Sequence, residues 1–331
     1  MELILAAKDG HEIRQMSDAS IDLEIGAETN DFEMTISRDD WTGDISFGSR
    51  IYSPGTEYGG IVRRMSTDTK EDTVSPGGYT WRGMLMMKII EPKSGQAYRT
   101  VSGELNSVLK SMVEPEFDGL FVVATENTGM TVTNYQFDRY CTLLEGLQKM
   151  LGSVGYKLKL EYIQRENGSS GYVAVSAVEI KDYSAEIELS EDDRLHFQAA
   201  EKRDGVNHLI CLGKGELTDR VVIHLYAQKD GSIGKTRYYT GIDEITEVYE
   251  NTSGETEKLE ENGRKKLQEL MNARSFSMDV SELGIDISIG DIVGGRDYLT
   301  GIYVKKPIIS KIWKIDDEGT ESVEYEIEGE D

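Results

Sequence analysis

The sequence predicts an α+β fold that is mainly β, and three observations carry that prediction. Apolar and polar residues alternate through the first ninety positions and again from about Ser190, and period-two alternation marks a half-buried strand. Thirty-four glycines stand against 5 prolines, a ratio that suits twisted strands joined by tight turns. Only three segments repeat apolar residues at helical spacing.

Taken in order, Ile21, Leu23 and Ile25 alternate with Asp22 and Glu24, and Phe32, Met34 and Ile36 alternate with Glu33, Thr35 and Ser37. Turn chemistry at Asp9-Gly10, Thr42-Gly43, Pro54-Gly55, Gly59-Gly60 and Pro76-Gly77-Gly78 separates such runs, as in a small barrel or sandwich. Residues 1–95 are therefore expected to form a β-rich, barrel-like domain. The pattern changes near Ser94-Gly95. Leu105, Val108, Leu109, Met112 and Val113 share one helical face that Glu114-Pro115 ends. Thr142 and Glu145 offer a capping box for a second helix, with Leu143, Leu144, Leu147, Met150 and Leu151 as its stripe and Gly152 or Gly155 as its stop. Tyr156, Leu158, Leu160 and Tyr162 alternate with Lys157, Lys159 and Glu161, and Asn167 to Gly171 joins this strand to another over 172–178. These elements make an α+β middle domain over 96–195.

Beyond it, 209–212, 221–227 and 236–240 read as strands bounded by turn signals. A helix near 253–273 begins at a capping box of Thr252 and Glu255 and shows Leu259, Leu267, Leu270 and Met271 on its apolar face. Gly263 in its middle weakens it by about 1 kcal/mol relative to Ala. Ile285, Ile287 and Ile289, then Ile302 and Val304, Ile312, and finally Val323, Tyr325 and Ile327 return to strand spacing. Residues 196–331 are expected to form a second β-rich, barrel-like domain.

Composition narrows the function classes. The 331 residues suit about two domains at ~150 residues each. With 36 Lys+Arg against 61 Asp+Glu the net charge is −25, which disfavours a surface that grips nucleic acid phosphates. Hydrophobic content of 38% with 17 Tyr, 7 Phe and 3 Trp supports a folded core rather than acidic disorder. No stretch approaches the ~18 apolar residues of a membrane helix, and the apolar run at 3–7 is too short for a signal peptide. Cys141 and Cys211 stand 70 positions apart and read as two buried thiols. Residues 316–331 hold nine acidic side chains and no basic one, so the last strand should repel anions.

Known chemical motifs fail on their spacing. Gly234-Lys235-Thr236 would end a phosphate loop, but Lys229 stands where its first glycine belongs. Gly213-Lys214-Gly215 opens like a dinucleotide fingerprint, but Thr218 replaces its third glycine. His11-Glu12 opens a zinc-protease pattern that Gln15 closes. His11, His196, His208 and His224 show no ligand spacing to one another or to a cysteine. Cys141, at the start of a helix, could be activated there and paired with His208. No cofactor, metal or catalytic set is expected.

What stands out is a series of glycine and aromatic clusters: Tyr58-Gly59-Gly60-Ile61-Val62, Tyr79-Thr80-Trp81-Arg82-Gly83, Gly213-Lys214-Gly215-Glu216-Leu217 and Gly290-Asp291-Ile292-Val293. They read first as barrel corners and core strands. In order along the chain they resemble the tail hub proteins of siphophages and related prophages. The similar runs are 56–62, Thr80-Trp81-Arg82-Gly83 followed by Lys88-Ile89-Ile90-Glu91-Pro92, Asn207 to Gly215, and Gly290 to Asp297. Tyr58, Gly59, Gly60, Trp81, Arg82, Gly83, Gly213, Gly215, Gly290 and Asp291 are the structural motif residues of that resemblance.

The resemblance implies a non-enzymatic baseplate hub of the virion tail, assembled in the bacterial host cytoplasm. It implies two barrel-like domains per subunit and a homotrimer whose six barrels continue the tail tube. The implied partners are tail tube, distal tail, tape-measure and tip or fibre proteins, with DNA passing through unbound and no membrane anchor. Because the sequence ends at Asp331, soon after the last similar run, no wall-degrading extension is expected. A lumen lined by part of the −25 would repel phosphate over about a Debye length, ~8 Å at physiological salt. Two other classes compete: a cell-wall-degrading hydrolase using Cys141 or a carboxylate pair, and a carbohydrate-binding receptor module.

Overall fold

In the computed structural model the alternation read from the sequence becomes the two faces of a sheet. Ile21, Leu23 and Ile25 are buried and Asp22 is exposed along one strand, and Phe32, Met34 and Ile36 are buried with Glu33 exposed along the next. The structure describes residues 2–327 apart from 18, 27–28, 166–169, 185–187, 190–196, 202–203, 252–255, 272–273, 279–286, 297–298 and 302. Asn167 to Ser169, His196, Thr252, Glu255, Ile285, Asp297 and Ile302 therefore lie outside the described residues.

The chain divides into two units. The first comprises Met1–His196, Met278–Gly295 and Lys305–Glu328, and the second Phe197–Ser277, Arg296–Val304 and Gly329–Asp331. The strands and helices up to 189 are β1 (Leu3–Ala6), β2 (Glu12–Met16), β3 (Ser20–Gly26), β4 (Asp31–Ser37), β5 (Arg50–Tyr52), β6 (Gly59–Asp68), β7 (Thr73–Thr80), α1 (Trp81–Met86), β8 (Thr100–Glu104), α2 (Leu105–Val113), β9 (Phe121–Val123), β10 (Thr131–Gln136), α3 (Leu143–Gly152), β11 (Tyr156–Ile163), β12 (Tyr172–Glu179) and β13 (Glu188–Leu189). Then follow β14 (Phe197–Glu201), β15 (His208–Leu212), β16 (Val222–Ala227), β17 (Ile233–Gly234), β18 (Thr246–Glu250), α4 (Thr256–Leu270), β19 (Arg274–Met278), β20 (Ile292–Arg296), β21 (Tyr303–Ile315) and β22 (Glu321–Ile327). The fold is α+β and mainly β.

In the first unit the main sheet runs β22-β21-β3-β4-β7-β6-β5-β1-β2. The late strands join it directly: β21 pairs antiparallel with β3, placing Trp313 opposite Leu23 and Ile312 opposite Glu24. The boundaries thus differ from the expected 1–95, 96–195 and 196–331, because β21 and β22 complete the sheet that the first ninety residues begin. Trp313 is fully buried and packs with Leu23, Phe32, Met34 and Val62, burial that the N-terminal strands alone do not provide. A second cluster joins Trp81, Leu85, Leu109, Phe121, Leu147, Tyr162 and Val173, where α2 and α3 pack on the small sheet β11-β12-β9 and α1 packs on α3 and β7.

Both expected helices of the middle region form, α3 with its expected N-cap: Thr142 Oγ1 accepts the Glu145 N–H at its start, and α3 ends at Gly152. The turn of helix at Trp81–Met86 was not expected. In the second unit the sheet runs β17-β16-β15-β18, and α4 packs on it through Leu259 and Leu267 against Leu209, Cys211 and Leu225. The expected strand at 236–240 is irregular; the pairing partner of β16 is Ile233–Gly234 instead.

Candidate functional site

Three of the four similar runs meet in the first unit. Tyr58, Arg82 and Asp291 line one cleft of about 1260 Å³ in the first unit, with Lys157, Lys311 and Tyr325. Thr80 caps α1 by accepting the Gly83 N–H, which turns Arg82 inward to 2% exposure. Its guanidinium pairs with Glu57 through two contacts and donates to the Leu158 carbonyl at 3.0 Å. Asp291 is 1% exposed. It accepts from the backbone N–H groups of Lys181 and Ser288 at 2.9 and 3.0 Å and from Lys157 Nζ at 2.6 Å. Burial pulls the Lys157 ammonium below the usual lysine range, and Asp291 opposes that pull. Gly290 turns with φ +88°, and a Cβ there would sit 3.2 Å from Lys157 Cβ.

The aromatic members hold the same region together. Tyr58 stacks on Trp313 at 4.6 Å, and Lys311 Nζ lies over the rings of both Tyr58 and Tyr325 at 5.1 and 5.2 Å. Trp81 stacks on Tyr162, which stacks on Tyr52 at 3.8 Å. Burial pushes the phenols of Tyr52 and Tyr162 up, which keeps both neutral. Gly60 lets β6 and β7 close, since a Cβ there would meet the Tyr79 carbonyl at 2.2 Å; at Gly83 it would meet the Asn30 carbonyl at 2.2 Å. Gly59 likewise faces the Trp81 indole. Gly213 and Gly215 belong to the second unit, where Gly213 abuts Leu259 and Gly215 takes φ +105°. Chemically, the cleft is a set of closed ion pairs and cation–π contacts: its buried cations are each committed to a partner.

The nucleophile candidate fares differently from its helix-terminus expectation. Cys141 is 7% exposed, and burial, then Glu145 and Asp138, push its thiol up, the reverse of activation. Cys211 is buried and pushed up by burial as well. Among the described residues no group of three or more His, Cys, Asp or Glu side chains is arranged to hold a metal ion. Sequence spacing missed one constellation: His208 and His224, on neighbouring strands, lie with Nε2 and Nδ1 2.8 Å apart. Both belong to runs of strand-like alternation, and only the β15–β16 register brings them together.

The outer face of β4, β3, β21 and β22 gathers carboxylates. Asp22 stands opposite Glu33, Glu24 and Glu324 flank Ile312, and Glu326 stands opposite Ser310. Like charges directly across a ladder destabilise it. Lys314 reaches Glu324 and Asp22, and Arg64 reaches Asp31 at 2.7 Å. Burial, then Glu326, push the Glu24 carboxyl up.

No protein-family model matches the sequence, and no curated protein does. Solved structures do match. The chain is similar over 99% of its length to 98% of the prophage MuSo2 43 kDa tail protein from Shewanella oneidensis, with a TM-score of 0.54 and 17% identity. It is similar over 100% of its length to 97% of the tail protein from Neisseria meningitidis MC58, with a TM-score of 0.50 and 14% identity. Identities this low speak for the fold: the chain is built, from end to end, on the fold of phage and prophage tail proteins.

Proposed function

We propose that the protein is a structural component of a phage or prophage tail, a baseplate hub that caps the tail tube and connects it to the tip. The observation that carries this is coverage: two tail proteins share the fold over at least 97% of their own length and 99% of this chain, so the likeness is to a whole subunit rather than to one common module. The hub acts by self-association, as a homotrimer, and by docking to tube, distal tail, tape-measure and tip proteins, without catalysis. The closed ion pairs of the cleft support that last point, because a catalytic acid or base must be left able to exchange its proton with substrate. The carboxylate face of β4, β3, β21 and β22 supports a passage for DNA that does not bind it.

Particles purified from a strain encoding the chain test the proposal. Antibody raised against it should decorate the distal end of the tail in electron micrographs, and deletion of its gene should leave tails unfinished. Its absence from purified particles by mass spectrometry would reject the assignment. Lytic bands in a cell-wall zymogram that vanish in Cys141→Ala would favour the hydrolase instead. Replacing Asp22, Glu33, Glu324 and Glu326 by their amides should leave assembly intact and slow DNA delivery; unchanged delivery removes the passage from the proposal.

A further inference from the structure

The second unit contains a sheet whose sequence asks for cover on two faces. Leu209 to Leu212 in β15 and Val221 to Ala227 around β16 are apolar runs that only His224 interrupts. Unbroken apolar runs mark strands buried on both sides, whereas a strand with one wet side alternates. One side is covered: Leu209, Cys211 and Leu225 are buried with Leu259 and Leu267 of α4. Ile210, Leu212, Val222 and Val248 take no part in that cluster.

The register decides which side chains share the other face. Across β16, β15 and β18 it lines up Val222, Leu212 and Glu250 in one row, His224, Ile210 and Val248 in the next, and Tyr226, His208 and Thr246 in the third. In the third row the His208 ring stacks on Tyr226 at 4.3 Å, which fills that end. The other two rows stand open. Val222 is 46% and Val248 52% exposed, His224 is exposed, and Ile210 and Leu212 between them are half-buried. The charges at the rim are paired within the chain, Glu250 with Arg220 at 3.3 Å and Glu244 with Arg237. What remains is a neutral, apolar strip.

The size of the strip decides what fits. Three strands ~4.8 Å apart, with β15 and β18 5 residues long at ~3.3 Å each, span roughly 14 by 17 Å, about 240 Å². A stable pair of copies buries ~800 Å² on each partner, so this face does not by itself hold two subunits together. A helix is about 10–12 Å wide and rises ~1.5 Å per residue, so about 11 residues, three turns, cover it. On the opposite face α4 already does so, through Leu259 and Leu267. We propose that the open face of this sheet docks an amphipathic helix of a neighbouring protein, laid on it as α4 lies on the opposite side, with an uncharged apolar stripe turned inward. The inference rests on the assembly reading, since a face this small serves a partner that is held at other points as well.

Photo-crosslinking in the strain that encodes the chain tests this on the full-length protein. A benzophenone-bearing amino acid takes the place of Val222, of Val248 or, as the control, of Lys265 on α4, whose side chain is 71% exposed. Irradiation should join 222 and 248 to one other protein and leave 265 unjoined. The joined positions in that protein should lie three, four or seven apart, in a segment with apolar residues at helical spacing. Val222→Glu should cut the adduct from 248 at least tenfold, and Val248→Glu that from 222, with the melting temperature of the purified chain unchanged because both sites are exposed. Val222→Thr and Val248→Thr, which keep the branched shape that suits a strand, should lower the same yields. Adducts to a second copy of this chain, to positions two apart as in an added strand, to 265 equally, or to no protein would each overturn the docking face, as would adducts that survive these substitutions. The presence of the chain in purified particles decides the tail assignment separately, so either conclusion can fail alone.

Discussion

Asp291 shows how a single residue can be placed by its surroundings rather than by a ligand. Its carboxylate receives two backbone N–H groups and the Lys157 ammonium in a site almost closed to water. Breaking such a pair from one side strands a buried charge, so Lys157→Met should cost about 3–5 kcal/mol in urea unfolding. The double variant Lys157→Met, Asp291→Leu should recover a large part of that. Glu104 supplies a pH dependence in the acid range. Burial pushes its carboxyl up, but the backbone N–H groups of Thr128, Ser107 and Asn106 outweigh it and bring it to about 2. The folded value lies below the usual 4.5, so its contribution is complete above about pH 4.5 and is lost as the pH falls through about 2. As the cap of α2, Glu104→Ala should cost about 1 kcal/mol at neutral pH, and the difference between variant and wild type should shrink in acid melts.

At the scale of the element, local chemistry explains most of what forms. The stripes of α2 and α3 predict their buried residues, from Leu105 to Val113 and from Leu143 to Leu151, because an amphipathic helix can bury only the face its spacing provides. Glycines divide by what surrounds them. At Gly78 a Cβ would lie 1.9 Å from the Ile61 carbonyl, whereas at Gly152 nothing lies within 4 Å. Gly78→Ala should therefore lower stability by about 1–3 kcal/mol, while Gly152→Ala, in a helix, should raise it by about 0.5–1 kcal/mol. Calorimetric melts of the two variants side by side would expose an error in either assignment. The helix α1 went unforeseen because Trp81 to Met86 is too short to show a period. Only its Thr80 cap, reaching the Gly83 N–H, was a signal, and Thr80 there reads equally well as the end of a strand.

For the whole molecule, the consequential feature is that β21 and β22 return to lie beside β3. A fragment ending at residue 196 would expose the β3 edge and lose Trp313 from the core shared with Leu23 and Tyr58. Such an edge is a template for aggregation. The fragment is expected to be insoluble or to lack a cooperative melt, whereas a soluble, cooperatively melting 1–196 would show that the N-terminal strands suffice.

Charge, alternation, caps and turn residues were enough to give the mainly β class and the two middle helices with their buried faces, because each depends on neighbours within a few positions. Pairing between strands hundreds of residues apart does not: many strands of the same period are interchangeable until side chains such as Trp313 find the volume they fill. That selection merged the two ends into one sheet. It also brought Arg82 to Glu57, Lys157 to Asp291 and His208 to His224, contacts set by packing in three dimensions and invisible to spacing along the chain.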